Sequence, residues 1–437
     1  MRILFLNQFF HPDTAATSQY LTDLTRSLSP ADSIAVICGA SNYSAPLQNR
    51  SPSGAGIAPH IEIIRIKNRH FGKRIRQRIA SYATFLLGAF TQALRLRNID
   101  TVVTLTTPPF IPLVGTLLKS LRGARHVIWE MDVYPDIATG IGFLSPFTFF
   151  IRITSHLSRF IHRRADSIIV LGECMRQRLL SQGVPAHKIH IAENWADGSE
   201  IEPLPFPDDD TLTILYSGNF GRAHDFDTIR DAIQGLRKDP RFQFVFAGGG
   251  RSRALLEEFC SGNSLTNVAF DPYCSRDQLE TSLARGHIGL VTQHPGSLGC
   301  VVPSKTYGIM AAGRPVLYIG PSAATPARII ERFDCGWHIE PGDTAGLIGL
   351  LYRLSYNREE IERCGARARA AFEANFDRHI GVERVARIIG ASGGLQVDLA
   401  LQLDEVRLLP KAMSVSQSAS GSASPGSNPG VSGASTR

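Results

Sequence analysis

At 437 residues the chain is too long for one hydrophobic core and suits two domains of roughly 150–200 residues each. Hydrophobic residues make up 43% and charged residues 19%, a globular balance that excludes disorder as the main state. The net charge of +7 favours an anionic partner, whether nucleic acid, bilayer or phosphorylated metabolite, and seven scattered cysteines without a CxxC spacing exclude a disulfide framework or zinc site and point to the cytoplasm.

Arg2–Leu6 is an apolar run too short for a signal peptide's core and reads as a first buried strand. A helix over about 18–28 and a strand over 33–38 follow, and Ile61–Ile66 alternates as a half-buried strand does. A helix over about 79–96 leads to the strand Thr101–Leu105. Pro108 and Pro109 end that strand ahead of a helix over about 111–121. His126–Glu130 and Ser167–Leu171 read as further strands. This alternation argues for a parallel, doubly wound sheet. The segment 201–210 (IEPLPFPDDD) reads as a linker. The pattern then restarts: strand 211–217, helix 226–236, strand 242–246, a Gly248–Gly250 turn, helix 253–260, strands 268–270, 288–291 and 315–319, and helices 344–354 and 358–375. The expected organisation is a domain over 1–200, a second over 201–390, an extension over 391–413 and a disordered tail over 414–437 made of Ser, Gly, Ala and Pro. The helical stretch after Arg378 is a candidate to cross back to the first domain. No apolar run reaches the roughly 20 residues of a membrane-spanning helix.

Two such sheets leave a cleft at their strand C-termini, where open α/β sheets bind ligands. Pro303-Ser304-Lys305 opens a short helix that ends at Gly313. The helix start, the Ser304 hydroxyl and the Lys305 ammonium suit a diphosphate, with a capped surface helix as the plainer alternative. Ser217-Gly218-Asn219-Phe220-Gly221-Arg222 is a strand-to-helix glycine loop in which backbone N–H groups and Arg222 suit the same anion; it reads equally as a structural turn. No P-loop pair follows Gly248–Gly250, so that run is a tight turn. In Trp129-Glu130-Met131-Asp132-Val133-Tyr134-Pro135-Asp136 an acid, Asp132 or Asp136, falls after a strand and so at the cleft, either to assist an acceptor hydroxyl or as a turn aspartate.

Nine basic residues and no acid lie between Ile63 and Ile99, around the apolar stretch 82–94, and Phe143–Arg164 mixes Phe147, Phe149 and Phe150 with Arg152, Arg159, Arg163 and Arg164. Such patches suit an anionic bilayer or, more plainly, a core helix with a solvated basic face. No nucleic-acid-binding module is present, so no nucleic acid partner is expected.

Taken in order, these stretches resemble the retaining glycosyltransferases of family 4, which have the GT-B fold of two Rossmann-like domains facing across a cleft, and in particular the branch that builds bacterial surface polysaccharides. The resemblance covers about 1–390. It is carried by Gln8–Gln19, Thr107-Pro108-Pro109-Phe110, Asp132–Asp136, Ile191–Asp197, Ser217-Gly218-Asn219, Pro303-Ser304-Lys305 and Met310–Pro315. It implies a nucleoside-diphosphate sugar donor, UDP-linked in most members, in the C-terminal domain, an acceptor in the N-terminal domain, and no bound metal or other cofactor. Gly218 and Lys305 match the family's positions near the donor diphosphate and Asn194 its asparagine before the linker; with the residue readings above, Asp132, Lys305 and Arg222 are the expected catalytic residues, and Gly218, Asn219, Ser304, Tyr307 and Asn194 the expected donor-binding ones. The chain departs from the family where two glutamates stand eight positions apart. Here those places hold Cys300 and Gly308, which leaves ribose recognition open. The expected acceptor is a lipid-linked saccharide, with the protein peripheral on the inner face of the plasma membrane. A UDP-sugar 2-epimerase of the same fold and an inactive assembly partner are the alternatives.

Overall fold

The computed structural model describes residues 1–40, 60–67, 75–143 and 149–391. The expected tail over 414–437, most of the extension before it, and Arg69, Lys73, Arg74 and Phe147 of the basic patches lie outside the described residues.

Two parallel sheets organise the chain. The first holds β1 (Arg2–Leu6), β2 (Ser33–Gly39), β3 (Ile61–Ile66), β4 (Thr101–Thr104), β5 (Arg125–Trp129), β6 (Ser167–Val170) and β7 (Ile189–Ile191) in the order β3-β2-β1-β4-β5-β6-β7. The second holds β8 (Leu212–Ser217), β9 (Phe242–Ala247), β10 (Val268–Asp271), β11 (Ile288–Thr292), β12 (Val316–Ile319) and β13 (Gly336–Ile339) in the order β10-β9-β8-β11-β12-β13. Each sheet reverses its strand order between its first strand and a later one, at β1/β4 and β8/β11, the switch points where such sheets open a crevice. The central strands are buried on both faces, as a parallel sheet covered by helices demands.

In the first half the helices are α1 (Ala16–Ser27), α2 (Ile75–Arg95), α3 (Pro112–Arg122), α4 (Asp136–Gly140), α5 (Phe149–Arg164) and α6 (Glu173–Ser181). In the second they are α7 (Asp227–Gly235), α8 (Arg251–Gly262), α9 (Leu279–Ala284), α10 (Lys305–Ala311), α11 (Thr325–Phe333), α12 (Thr344–Ser355), α13 (Arg358–Asn375) and α14 (Arg378–Ile389). Local chemistry sets many of the ends. Pro112 opens α3, where its missing N–H is not needed, and Gly123, at φ 72°, closes it. Asn357 caps α13 by accepting from the Glu360 N–H.

Helix α14 returns to the first half. Its Val382, Val385 and Ile389 join the core that includes Ile3, Phe5 and Trp129. Arg125 of β5 donates to the Ile388 and Ile389 carbonyls, 2.8 and 3.0 Å away, at the end of that helix. Cys300 and Val302, just ahead of α10, are buried in the same core, so the polypeptide of the second half is built into the first at the seam.

Candidate active site

The seam is built from the carboxyl ends of the central strands. Beyond β8 the chain turns at Gly218, whose φ of 135° and packing both require glycine. A Cβ there would stand 2.5 Å from Lys305 Cε. Gly248, beyond β9, is equally constrained, since a Cβ would lie 2.0 Å from the Gly218 carbonyl oxygen. The two glycine turns therefore stack, and α10 brings Lys305 onto them.

Lys305 Nζ lies 3.4 Å from the Asn219 carbonyl oxygen, 3.2 Å from His224 Nε2 and 4.9 Å from the centre of the Tyr216 ring. None of these groups carries a charge. His224 Nδ1 sits 2.7 Å from the Thr292 carbonyl, which only accepts, so Nδ1 holds the proton and Nε2 offers its lone pair to the ammonium. Burial, with Lys305 beside it, pushes the His224 pKa down to about 3 and keeps the ring neutral. The same burial lowers Lys305 to about 7. Among the described residues no carboxylate pairs with Lys305, an arrangement suited to an anion at the mouth of the two strands.

The structure brings Gly218, Asn219 and Lys305 together and sets the other expected donor-site residues in different surroundings. The Gly218 and Phe220 N–H groups do not point to a ligand; they donate to the Ala247 and Gly249 carbonyls at 2.9 Å, because the two turns pair backbone to backbone. Arg222 is exposed and lies over the Phe143 ring of the first half, 4.9 Å away, rather than beside Lys305. The Ser304 side chain makes no cap for α10; it lies close to the hydroxyl of Tyr20 in α1. Tyr307 is a core residue: fully buried, it packs on Phe376 at 5.2 Å. Asn194 is buried and its Oδ1 has no partner among the described residues. Trp195, next to it, stacks on Trp129 and meets Tyr20 edge-on.

The second polar site follows β4 and β5. Thr106, Phe110, Glu130, Asp132, Tyr134 and His162 line a small pocket there. Thr106 Oγ1 accepts from the Met131 and Asp132 N–H groups at 3.2 and 3.1 Å, which fixes the turn. Burial and the neighbouring Glu130 raise the Asp132 carboxyl to about 6. Glu130 is itself buried and takes a hydrogen bond from His162 Nε2 at 2.9 Å. An ionised carboxylate with a pKa near 6 is suited to accept a proton from a hydroxyl at neutral pH.

Sequence reasoning missed His224, Tyr216 and the Glu130–His162 pair. Glu130 stands two positions before Asp132, on the same face of an extended chain, and that spacing is the signal that would have found it. His162 carries no such signal, as 31 residues separate it from Glu130. No group of three or more His, Cys, Asp or Glu side chains able to hold a metal occurs among the described residues.

Residues 16–195 match the glycosyl transferase 4-like domain, and residues 199–371 match the glycosyl transferases group 1 family. The chain belongs to the family 4-type glycosyltransferases of the GT-B fold. It is 27% identical to the probable glycosyltransferase WbjE of Pseudomonas aeruginosa over 68% of this chain and 75% of that protein. To WcaI of Escherichia coli, named as a colanic acid biosynthesis glycosyl transferase, it is 28% identical over 45% of this chain and 51% of that one. Among solved structures, sucrose-phosphate synthase from Thermosynechococcus elongatus superposes with a TM-score of 0.72 at 15% identity, over 93% of this chain and 100% of the other. Anabaena HepE, solved with UDP and glucose, gives 0.66 at 14% identity, over 89% and 99%. This glycosyltransferase thus places its Pro-Ser-Lys helix start against the Ser-Gly-Asn turn.

Proposed function

We propose that this glycosyltransferase moves a sugar, with retention, from a UDP-linked donor to a lipid-linked saccharide in surface polysaccharide biosynthesis. The observation that carries the reading is Lys305, half-buried against Gly218 and the neutral His224, with no carboxylate paired to it among the described residues. The UDP in the HepE structure and the polysaccharide role in the name of WcaI support the donor and the pathway class. In this reading the bond from the sugar's anomeric carbon to the phosphate oxygen breaks. A new bond forms to the acceptor oxygen on the same face, and the hydroxyl proton passes to the departing phosphate. Lys305 meets the growing charge on the diphosphate, in place of a metal. Asp132 holds the acceptor hydroxyl. Lys305→Ala should then lower turnover by about 10²-fold or more; unchanged turnover overturns the reading. A thermal-shift screen of UDP-, GDP- and dTDP-sugars identifies the donor base, because binding to the folded state raises the melting point.

The acceptor's lipid places the enzyme at the inner face of the membrane, and one surface supports this. Helix α3 packs against both α2 and α5, and none of the three contains an acidic residue. Leu87 on α2, Leu121 on α3 and Phe149 and Phe150 on α5 are each more than 60% exposed, and α2 and α5 also carry Arg76, Arg78, Arg152, Arg163 and Arg164. Apolar side chains among basic ones suit an anionic bilayer. No helix among the described residues is long and apolar enough to cross a membrane. Phe149→Ser with Phe150→Ser, and Arg76→Glu with Arg78→Glu, should each reduce co-sedimentation with phosphatidylglycerol vesicles. Equal sedimentation of both variants and the parent overturns the membrane placement.

A further inference from the structure

The chain between β11 and α10, His294–Ser304, delivers Lys305 to its site, and it touches both halves on the way. Buried Gln293 holds it from within: its Nε2 donates to the Val301 carbonyl at 3.3 Å, and its Oε1 accepts from the Tyr318 hydroxyl at 2.9 Å. On the donor side the His294 N–H and the Ser297 hydroxyl both reach the Ala223 carbonyl, at 2.8 and 3.2 Å, between Arg222 and His224. On the acceptor side the Val133 N–H donates to the Cys300 carbonyl at 2.9 Å, one residue from Asp132.

Arg178 of α6 closes the same seam. One guanidinium nitrogen is 3.0 Å from Asp136 Oδ2 in the first half, and another donates to the Leu298 carbonyl in the second at 2.8 Å. Gln182 adds a second donor to Asp136 at 2.7 Å, so the carboxylate is held from two sides. Beside this clamp Gly140 and Gly296 meet backbone to backbone. A Cβ on either would stand 1.9 Å from the carbonyl oxygen of the other, so no side chain fits at either place. Gly299, at φ 71°, is similarly pressed, with a built Cβ 2.8 Å from the Cys174 carbonyl.

We propose that the 294–304 strap sets the register between the donor cradle and the acceptor pocket, and that Arg178 is a positioning residue for transfer. Arg178 contacts neither Lys305 nor Asp132. It acts by fixing Asp136, four residues beyond Asp132, to Leu298, seven before Lys305. A shift of about 1 Å between reacting groups lowers a rate by about 10²-fold, so a clamp remote from both sites governs turnover without governing donor affinity. The positioning role rests on the sugar-transfer reading; the clamp itself does not.

The test uses the full chain with Arg178→Ala, Arg178→Lys and Gly296→Ala. Cys300 is wholly buried at the seam, and it reports opening by its rate of labelling with a maleimide, mapped by mass spectrometry. Labelling of Cys300 should rise at least tenfold in Arg178→Ala and in Gly296→Ala, and less in Arg178→Lys, which keeps a cation able to reach one acceptor at a time. UDP affinity by calorimetry should stay within about twofold of the parent, while kcat for UDP release from a panel of UDP-sugars falls at least tenfold at nearly constant KM. Unchanged Cys300 labelling in both Arg178→Ala and Gly296→Ala overturns the clamp. A loss of UDP affinity that tracks the labelling overturns the positioning role, since Arg178 would then be shaping the donor cradle. If the parent chain turns over no UDP-sugar and binds no UDP, the transfer reading fails, and the labelling rates still decide the clamp.

Discussion

Binding of UDP should take up a proton, and Lys305 should be its source of pH dependence. In the unliganded protein burial holds Lys305 at about 7, so at neutral pH roughly half of the molecules lack the charge that a diphosphate needs. A bound diphosphate supplies the missing counter-charge and draws the pKa back toward the ordinary lysine range. Uptake should be about half a proton at pH 7 and about 0.9 at pH 8, and the Kd for UDP should rise about eightfold between pH 7.5 and 8.5. Calorimetry at matched ionic strength, in buffers of different ionisation enthalpy, measures both quantities. Lys305→Met keeps the buried stem and removes the ammonium, so both the uptake and the slope should vanish. The same shift has a stability consequence of opposite sign. The folded pKa lies below the unfolded one, so the unfolded chain binds more protons between about pH 7 and 10, and the unliganded protein gains stability as pH rises through that window. At pH 6 the full penalty of the buried ammonium is present, and Lys305→Met should melt no lower than the parent there. A pH-independent Kd in the parent, or an equal slope in Lys305→Met, would refute the argument that Lys305 meets the diphosphate.

Other substitutions follow from the packing. Gly218→Ala forces a methyl group to within 2.5 Å of Lys305 Cε at a φ that alanine resists, so UDP affinity by calorimetry should fall at least tenfold; an unchanged Kd shows that the turn can give way. Glu130→Ala leaves the buried His162 N–H without its acceptor and should cost about 1–3 kcal/mol in urea unfolding, with no measurable loss arguing that the pair is not structural. A Cβ at Gly308 meets nothing within 4 Å, so Gly308→Ala should stabilise α10 by about 0.5–1 kcal/mol in the same assay, and destabilisation would mean that the helix needs glycine there for another reason.

Much of the fold was legible because it follows from local rules. Apolar runs such as Ile3–Leu6 and Leu212–Tyr216 need burial on both faces, and their alternation with helix-length segments leaves a doubly wound sheet as the natural solution. The short edge strands β7 and β13 escaped notice, because Ile-His-Ile and Gly-Trp-His-Ile are too brief and polar to announce a strand. Within the site, the glycine at 218 and the Pro-Ser-Lys step into α10 were readable, since turn chemistry and helix starts have fixed residue signatures.

By itself the sequence determined which segments must be buried, where the chain must turn, and that a lysine opens a helix after a proline. Only the tertiary structure decided what each polar group faces. Tyr307 went to the core and Ser304 to Tyr20, Arg222 settled on Phe143, and His162 arrived beside Glu130. The reason is that a side chain's partner, its dielectric surroundings and hence its charge state depend on elements that are distant along the chain. No local pattern around Lys305 encodes the neutral histidine and the seam against which it packs.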